Sequence, residues 1–490
     1  MLAPFIKRAG RSNSHRKRER GVTMALVAIS MVAIISFAAL AIDLGTLYEA
    51  KSEAQRSADA AALTAAQVIS VSGITGDPSN SDANWASICG ASGTATLAAQ
   101  TVANQNLVGG NVPSTVTVLY GAGGTTPSLS DCSGAGSNFG INPTVSVYVQ
   151  QATLPTFFAR VFSLMQGGTS KNSGVSATAY AEAFNTSDSN NGVPTSVQPR
   201  CVKPIIIPNN DPRHPVGCTV GSCTNFVTVA TGQIMWPGMY TGAPAQGVIG
   251  ERFTLLPDCN PTASGCVLLP AIGQPKASPP NLYYVPGAAS GVSPVALPTA
   301  GSTCGDLDTS WAQDVAGCDE STVYQCGVPV TQSTNFVNLS ENPTKGDAQN
   351  AVQCLINQSA STTTGVSGQD TLGTYSLGTP PTYPFQILAG TANPLTSAGI
   401  ASNSVITTSS SIVSLPIYDQ NATTIPSTGI GAVNVSIIGF LQVFINGADS
   451  TSNGIDVTVL NVTGCGNTAT SSTPVAKGTS PVPVRLISPP

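Results

Sequence analysis

The sequence of 490 residues predicts an α+β protein in which an N-terminal transmembrane helix continues into an alanine-rich extracytoplasmic helix, followed by β-rich, disulfide-stabilised domains. Three observations predict this architecture. An uncharged apolar run occupies residues 21–42, an alanine-rich stretch without proline follows it, and all the cysteines lie beyond both. Charged residues make up only 9% of the chain, against roughly 25% in an average soluble protein.

The apolar run at residues 21–42 follows a basic arm, residues 1–20, which holds seven Lys or Arg and one acid. About 20 apolar residues cross a bilayer as an α-helix, and Lys and Arg collect on its cytoplasmic side. We therefore expect a single-pass protein with a cytoplasmic N terminus and its bulk outside the cytoplasm. The net charge of −5 argues against a nucleic-acid partner.

The segment after the span, residues 43–69, predicts a helix that continues the membrane helix without a break. It lacks Pro, its only Gly is Gly45, and it is rich in Ala, the best helix former. Gly73 and Pro78 predict its end. One face carries mostly alanine, which suits either packing onto the chain's own next domain or close contact with another subunit.

The cysteines indicate an oxidising compartment. An even number in an exported region predicts up to six disulfides, whose pairing the sequence leaves open. Short separations favour local loops for Cys218 with Cys223, Cys259 with Cys266, and Cys318 with Cys326. The twelve candidates are Cys89, Cys132, Cys201, Cys218, Cys223, Cys259, Cys266, Cys304, Cys318, Cys326, Cys354 and Cys465.

The motif at the outer edge of the span, together with the Ala-Asp-Ala-Ala-Ala-Leu run after it, resembles the TadG-like N-terminal domain of assembly proteins of bacterial Flp-type tight-adherence pili. The resemblance implies a membrane-anchored, non-enzymatic component of Flp/Tad-type pilus assembly or secretion machinery, held in the inner membrane, with other pilus-assembly subunits as partners. The matching positions are Arg20, Gly21, Asp43, Leu44, Gly45, Tyr48, Gln55, Ala58, Asp59, Ala60, Ala61, Ala62 and Leu63.

A second stretch, residues 143–184, extends this resemblance. Alternating Val145, Val147 and Val149 predict a strand, a short helix follows Pro155, and residues 175–183 alternate again. Strand, short helix and strand is also the order that the family shows before its variable region. We expect one TadG-like unit over residues 43–184.

The remaining two-thirds of the chain is predicted to be β-rich. The composition predicts a polar linker at residues 185–199, a Cys- and Pro-rich β domain at residues 200–360, and a Ser/Thr/Gly-rich β region at residues 361–490. The strongest predicted strands are residues 432–445 and 455–462. Residues 347–358 predict a helix, and short apolar runs occur at 202–207, 226–229 and 267–269.

No catalytic, cofactor or metal site is expected. His214 is the only exported histidine, and its polar turn predicts a surface position. The sequence shows no nucleophile elbow, phosphate loop or dinucleotide fingerprint. Some TadG-like proteins continue into a von Willebrand A-type domain, but Asp308 breaks the Asp-x-Ser-x-Ser metal motif here. Asp449, Asn453 and Asp456 lie in a turn that lacks the EF-hand spacing.

Three alternatives remain open. A processed minor pilin or pseudopilin requires cleavage after Gly21, although Leu26 stands where related pilin-like proteins carry Glu. Cleavage as a secretory signal would use small residues near Ala39, although the apolar run exceeds the usual 7–15 residues. An anchored extracytoplasmic hydrolase would depend on His214.

Overall fold

In a computed structural model, the chain divides into two compact units. The first comprises residues 1–57, 104–116 and 149–177, and the second comprises residues 58–103, 117–148 and 178–490. The structure describes residues 15–76, 83–136, 138–154, 173–188, 195–219, 221–240, 247–257, 276–277, 280–287, 304, 307, 309–326, 336–338, 345–359, 368–373, 383–422, 432–448, 454–467 and 475–489.

The regular elements are one very long helix, several short helices and eighteen strands within these residues. The helices are α1 (His15–Val71), α2 (Ala86–Cys89), α3 (Thr94–Gln105), α4 (Ser310–Ala316) and α5 (Lys345–Leu355). The strands are β1 (Thr115–Gly121), β2 (Thr144–Leu154), β3 (Ser173–Ala183), β4 (Val197–Pro199), β5 (Ile205–Pro208), β6 (Arg252–Pro257), β7 (Lys276–Ala277), β8 (Pro280–Pro286), β9 (Phe336–Asn338), β10 (Thr371–Leu372), β11 (Ile387–Leu388), β12 (Val405–Ile406), β13 (Ile412–Tyr418), β14 (Ala432–Asn434), β15 (Ile437–Ala448), β16 (Ile455–Gly464), β17 (Ala476–Gly478) and β18 (Val484–Ile487).

Helix α1 is continuous, as predicted for the span and the alanine-rich segment. Its 57 residues make a rod of about 85 Å at 1.5 Å per residue. The part from Val22 onward is long and apolar enough to cross a membrane. The helix ends at Val71, just before Gly73, whose φ of +83° is a left-handed conformation that favours glycine.

A four-stranded sheet has the order β1-β2-β3-β18. Strands β2 and β3 confirm the two strands predicted within residues 143–184. Valine recurs at every second position in the first half of β2, and alanine does so in the second half of β3. The short helix predicted after Pro155 lies outside the described residues. The C-terminal strand β18 pairs antiparallel with β3, with Val484 opposite Ala183.

Six strands of the second unit close into a ring in the order β5-β13-β15-β16-β6-β8, because β5 pairs with both β13 and β8. Strand β7 is added beside β8. Strands β14, β15 and β16 confirm the strands predicted in residues 432–462. The pairings β5–β13 and β6–β8 are parallel, and the others in the ring are antiparallel. The barrel draws strands from both predicted regions, 200–360 and 361–490, so no boundary near residue 360 separates two sheets.

The barrel core is apolar and is covered on the outside as well. Almost every residue of β15 is buried, so both faces of that strand are packed. Helix α5, which confirms the helix predicted near residues 347–358, packs against β15 and against α4. Trp311 of α4 is buried and donates its indole N–H to the carbonyl of Pro204, 2.9 Å away.

The described ends of the predicted linker, residues 185–199, are packed rather than free. Asn185 and Thr186 are buried, and their side chains donate hydrogen bonds to the carbonyls of Val462 and Gly464 in β16. Their polarity, which indicated a solvated linker, instead serves these buried hydrogen bonds. Nearby, β4 pairs in parallel with β17.

Five disulfides lie within the described residues. The predicted local loop between Cys218 and Cys223 is confirmed. The expected loop between Cys318 and Cys326 is wrong, because each of these cysteines reaches a partner that is distant in sequence. Cys259 and Cys266 lie outside the described residues. The bonds are Cys89–Cys132, Cys201–Cys318, Cys218–Cys223, Cys304–Cys354 and Cys326–Cys465.

Candidate functional site

The first candidate site is the apolar part of α1, residues 22–42. Its large side chains are exposed, from Ile42 at 53% to Met24 at 79%. Apolar surface in water costs roughly 25 cal/mol per Å², and soluble monomers rarely expose a continuous patch of this size. The surface therefore suits a hydrocarbon environment, which its length also fits.

The family-motif residues at the end of this segment divide into buried and exposed positions. Asp43 is 3% exposed, whereas Leu44 is 50% and Tyr48 is 70% exposed. A Cβ added at Gly45 would meet no atom within 4 Å. Packing within the described chain therefore does not explain why glycine stands at this position, or why Leu44 and Tyr48 present apolar surface beside it.

The alanine face further along α1 is covered by the chain itself. Ala54, Ala58, Ala61, Ala62 and Ala65 are all 0% exposed. Of the two alternatives for this face, packing within the chain is confirmed, and these five positions are not available to another subunit. The motif residues Gln55, Asp59, Ala60 and Leu63 are half-buried.

A small cleft lies beside α1 within the first unit. The carboxylate of Glu53 accepts a hydrogen bond from the backbone N–H of Gly109, 2.7 Å away, and Lys51 donates to the carbonyl of Ser176. These contacts hold the neighbouring loop and strand against the helix. The cleft of about 260 Å³ is lined by Thr46, Glu49, Ala50, Glu53, Gly109, Gly110 and Leu154.

The second candidate site surrounds His214 in the second unit. The prediction that this histidine lies on the surface is wrong, because His214 is 0% exposed. Hydrogen bonds hold the turn at residues 211–214, which contains His214. Asp211 accepts a hydrogen bond from the N–H of Arg213 (2.9 Å), and Thr224 donates its N–H to the carbonyl of His214 (2.8 Å). The Cys218–Cys223 disulfide closes the adjoining loop.

Two buried carboxylates face the imidazole of His214. Its Nδ1 lies 2.9 Å from Oδ2 of Asp211 and 2.6 Å from Oε1 of Glu251. Both acids are 0% exposed. The ring of Trp236 stacks on the imidazole with centroids 4.8 Å apart, and Tyr240 meets it edge-on.

The titration behaviour of these groups reflects their burial and their mutual charges. Burial disfavours the imidazolium, but the hydrogen bond to Asp211 and the nearby negative charges of Asp211 and Glu251 outweigh it and raise the pKa of His214 to about 10. Burial, together with the charge of Asp211, raises the pKa of Glu251 well above its usual value.

Sequence reasoning missed Asp211 and Glu251 because they lie in no spaced motif. Only the closed barrel, in which Glu251 immediately precedes β6, brings this carboxylate to the turn at 211–214. A second group of possible ligands, Cys201, Cys318 and Glu320, is poorly suited to a metal because its two sulfurs are joined in a disulfide. Of the three residues in the turn that lacks the EF-hand spacing, Asp456 lies in β16 and pairs with Arg252, and Asp449 and Asn453 lie outside the described residues.

Comparison with known proteins identifies the first of these sites. Residues 21–68 match the family model described as "Putative Flp pilus-assembly TadE/G-like". The N-terminal segment of this chain is a TadG-like domain. The match covers the apolar segment and the alanine face of α1 and ends at residue 68, before the strand pair that was expected to belong to the same unit. No curated protein matches the chain. No solved structure matches it either.

The TadG-like domain therefore links the chain to Flp/Tad pilus assembly. Its motif positions include both kinds of surface described above. Asp43 and the buried alanines serve packing within the chain, while Leu44, Gly45 and Tyr48 remain exposed.

Proposed function

We propose that this protein is a membrane-anchored, non-enzymatic component of Flp/Tad pilus assembly or secretion machinery. One observation carries the proposal: the residues that match the TadE/G-like family model include a helical segment, residues 22–42, whose apolar side chains are almost all exposed. In this proposal, that segment spans the bacterial inner membrane.

The proposed orientation places the basic arm in the cytoplasm and the β-rich bulk in the periplasm. Lys and Arg in residues 1–20 favour the cytoplasmic side. The described disulfides, all beyond residue 88, favour an oxidising compartment for the remainder.

The proposed partners are other pilus-assembly subunits. Because the alanine face is already covered, the exposed surface formed by Leu44, Gly45 and Tyr48, which we call the edge surface, is the better candidate for contact with them. It lies directly after the span, where an apolar partner helix in the same membrane would meet it.

The experiment that tests the anchor is intact-mass analysis of the protein recovered from native membranes, before and after thiol labelling under denaturing, non-reducing conditions. A mass that starts at Met1, with few labelled thiols, supports the retained anchor and the oxidised exterior. A mass that starts at Val22 favours the processed minor pilin. A start near residue 42 indicates a secreted protein and contradicts the membrane anchor.

The role in assembly is tested in the native bacterium. Deleting the gene should abolish or reduce surface Flp pili, and the full-length chain should restore them. A His214→Gln variant that restores pili to the wild-type level would disfavour the anchored-hydrolase alternative, which depends on this histidine. Unchanged piliation in the deletion strain would contradict the proposed function.

A further inference from the structure

We propose that Asp211, His214 and Glu251 form a buried site for one divalent transition-metal ion. One donor atom from each side chain lies within 4.8 Å of the other two. A single imidazole nitrogen and two carboxylate oxygens are ligands that zinc and manganese both accept. The site is separate from the N-terminal domain and does not depend on the role proposed for that domain.

The carboxylate of Glu251 provides the decisive observation. It is 0% exposed, and neither of its oxygens has a hydrogen-bond partner. Nδ1 of His214 makes its hydrogen bond to Asp211, so the 2.6 Å approach of Glu251 Oε1 to the same nitrogen is a close contact without hydrogen-bond geometry. Burying a carboxylate without a donor is costly. A cation between the three groups would supply the missing interaction.

Charge and distance are both compatible with a metal. Two carboxylates, a neutral imidazole and a divalent cation sum to zero, which a buried site favours. Zinc bonds to nitrogen or oxygen are about 2.0–2.2 Å long, so tetrahedral ligand atoms lie roughly 3.2 Å apart. The contacts of 2.6 and 2.9 Å from Nδ1 would therefore lengthen by about 0.6 and 0.3 Å.

The surrounding structure holds the three side chains in place before a metal arrives. The second carboxylate oxygen of Asp211 is fixed by the N–H of Arg213. The backbone carbonyl of Glu251 accepts a hydrogen bond from Val459 in β16, 2.8 Å away. Trp236, which stacks on His214, is itself held by a hydrogen bond from its indole to Thr224. These contacts favour tight metal binding, because the three side chains lose little conformational freedom when the ion binds.

The test uses the full-length protein in detergent, dialysed against a chelator and then titrated separately with Zn²⁺ and Mn²⁺. We expect one equivalent of at least one of the two ions per chain and a rise in Tm of several degrees. Glu251→Gln keeps the shape of the side chain but removes the charge, and should weaken binding at least tenfold and make Tm insensitive to the ion. Glu182→Gln, which changes a carboxylate paired with Arg485, is the matched control and should bind as the wild type does.

A second measurement keeps the proposal testable if Glu251→Gln fails to fold. Co²⁺ bound at the site should give visible d–d absorption and quench the fluorescence of Trp236, and Trp236→Phe should remove that part of the quenching. Two results would overturn the proposal. One is stoichiometric binding that survives Glu251→Gln. The other is the absence of binding of all three ions in the wild type, and a higher Tm in Glu251→Gln would then show that Glu251 is simply a protonated acid.

Discussion

The side-chain amide of Asn461 donates a hydrogen bond to the backbone carbonyl of Ser70, 2.5 Å away. Ser70 lies in the last turn of α1, and Asn461 lies in barrel strand β16. The same amide N–H₂ also donates to Gln442, and the carbonyl oxygen of Asn461 accepts from the hydroxyl of Thr75. One buried side chain therefore joins the end of the long helix to the barrel.

Replacing this amide is expected to destabilise the second unit. Asn461→Leu leaves the Ser70 carbonyl and the Thr75 hydroxyl buried without their partner, at about 1–3 kcal/mol for each unsatisfied group. We expect the free energy of unfolding, measured by urea titration in detergent, to fall by about 2–4 kcal/mol. The control is Gln105 in α3, whose side chain is exposed. Gln105→Leu should change the free energy of unfolding by less than about 0.5 kcal/mol. Equal effects of the two variants would contradict the role of Asn461.

Gly73 is expected to tolerate no side chain. A Cβ at this position would lie 2.7 Å from Cε2 of Phe385 and 3.0 Å from Cγ2 of Ile249, and φ is +83°. Gly73→Ala should therefore cost about 1–3 kcal/mol of stability through crowding and backbone strain. The measurement is the urea midpoint. Gly110→Ala is the matched control, because Gly110 has φ +77° but open space around it, and its smaller loss would isolate the effect of crowding.

Gly45 should behave in the opposite way. An alanine at this open helical position meets no neighbour and should stabilise the isolated helix by about 0.5–1 kcal/mol. If the edge surface contacts another subunit, Gly45→Trp should nevertheless reduce piliation while the thermal unfolding of the body stays unchanged. Leu97→Trp, at an exposed apolar position of α3, is the control and should leave piliation intact. Normal piliation with Gly45→Trp would argue against a partner at this surface.

The two kinds of disulfide should contribute unequally to stability. Cys326–Cys465 closes a separation of 139 residues, whereas Cys218–Cys223 closes one of 5. The chain-entropy treatment assigns about 5 kcal/mol to the longer loop and about 2 kcal/mol to the shorter one in a chain without other cross-links. We expect the paired Cys→Ala variant at 326 and 465 to unfold at clearly lower urea concentration than the pair at 218 and 223. The reverse order would show that native-state packing outweighs chain entropy.

Lys203 should contribute an increasing amount of stability to the second unit as pH rises from about 8 to 10. Burial lowers the pKa of this lysine to about 8, although the charge of Asp314 acts in the opposite direction. Between that pH and the ordinary pKa of about 10.4, the unfolded chain binds more protons than the folded one, so unfolding becomes less favourable as pH rises. From pH 7.5 to 9.5 the contribution of Lys203 rises by about 2 kcal/mol. The contribution of His214 falls over the same range, because its pKa in the folded protein is raised to about 10.

The matched variant for this prediction is Lys203→Met, which keeps the length of the side chain and removes its charge. Urea titrations of both proteins across this pH range should show that the wild type gains stability relative to the variant, because the pH dependence from His214 is common to both. Measurements must stop below pH 10, because burial raises the pKa of Tyr120, Tyr284 and Tyr324, and these residues favour unfolding at higher pH. A parallel pH dependence in both proteins would contradict the assignment to Lys203.

The long helix was predictable from sequence because its signals are local. Alanine content, the absence of proline and the uncharged run all act within a few turns, and Gly73 marks the end that the structure shows. Strands β2, β3, β15 and β16 were predictable for the same reason, since β-branched and apolar residues alternate or cluster along each of them.

The closure of the barrel and the environment of His214 were not predictable in this way. The parallel pairing of β5 with β13 depends on Ile207 meeting Ile417, and no local pattern records that contact. The turn around His214 is polar because its groups bond to one another, a pattern that in sequence is indistinguishable from a solvated turn. The short apolar run at 226–229 is not part of a named strand, and its Val227 forms an isolated bridge to Ile234.

The connectivity of the disulfides has a consequence for how the newly made protein matures. As the chain emerges, Cys201 is followed by Cys218 long before its final partner Cys318, and Cys326 is followed by Cys354 before Cys465. An oxidase that joins cysteines in order of appearance would trap the wrong pairs. Such early bonds would have to be reshuffled by thiol–disulfide exchange, which an isomerase accelerates, after Cys465 has been synthesised.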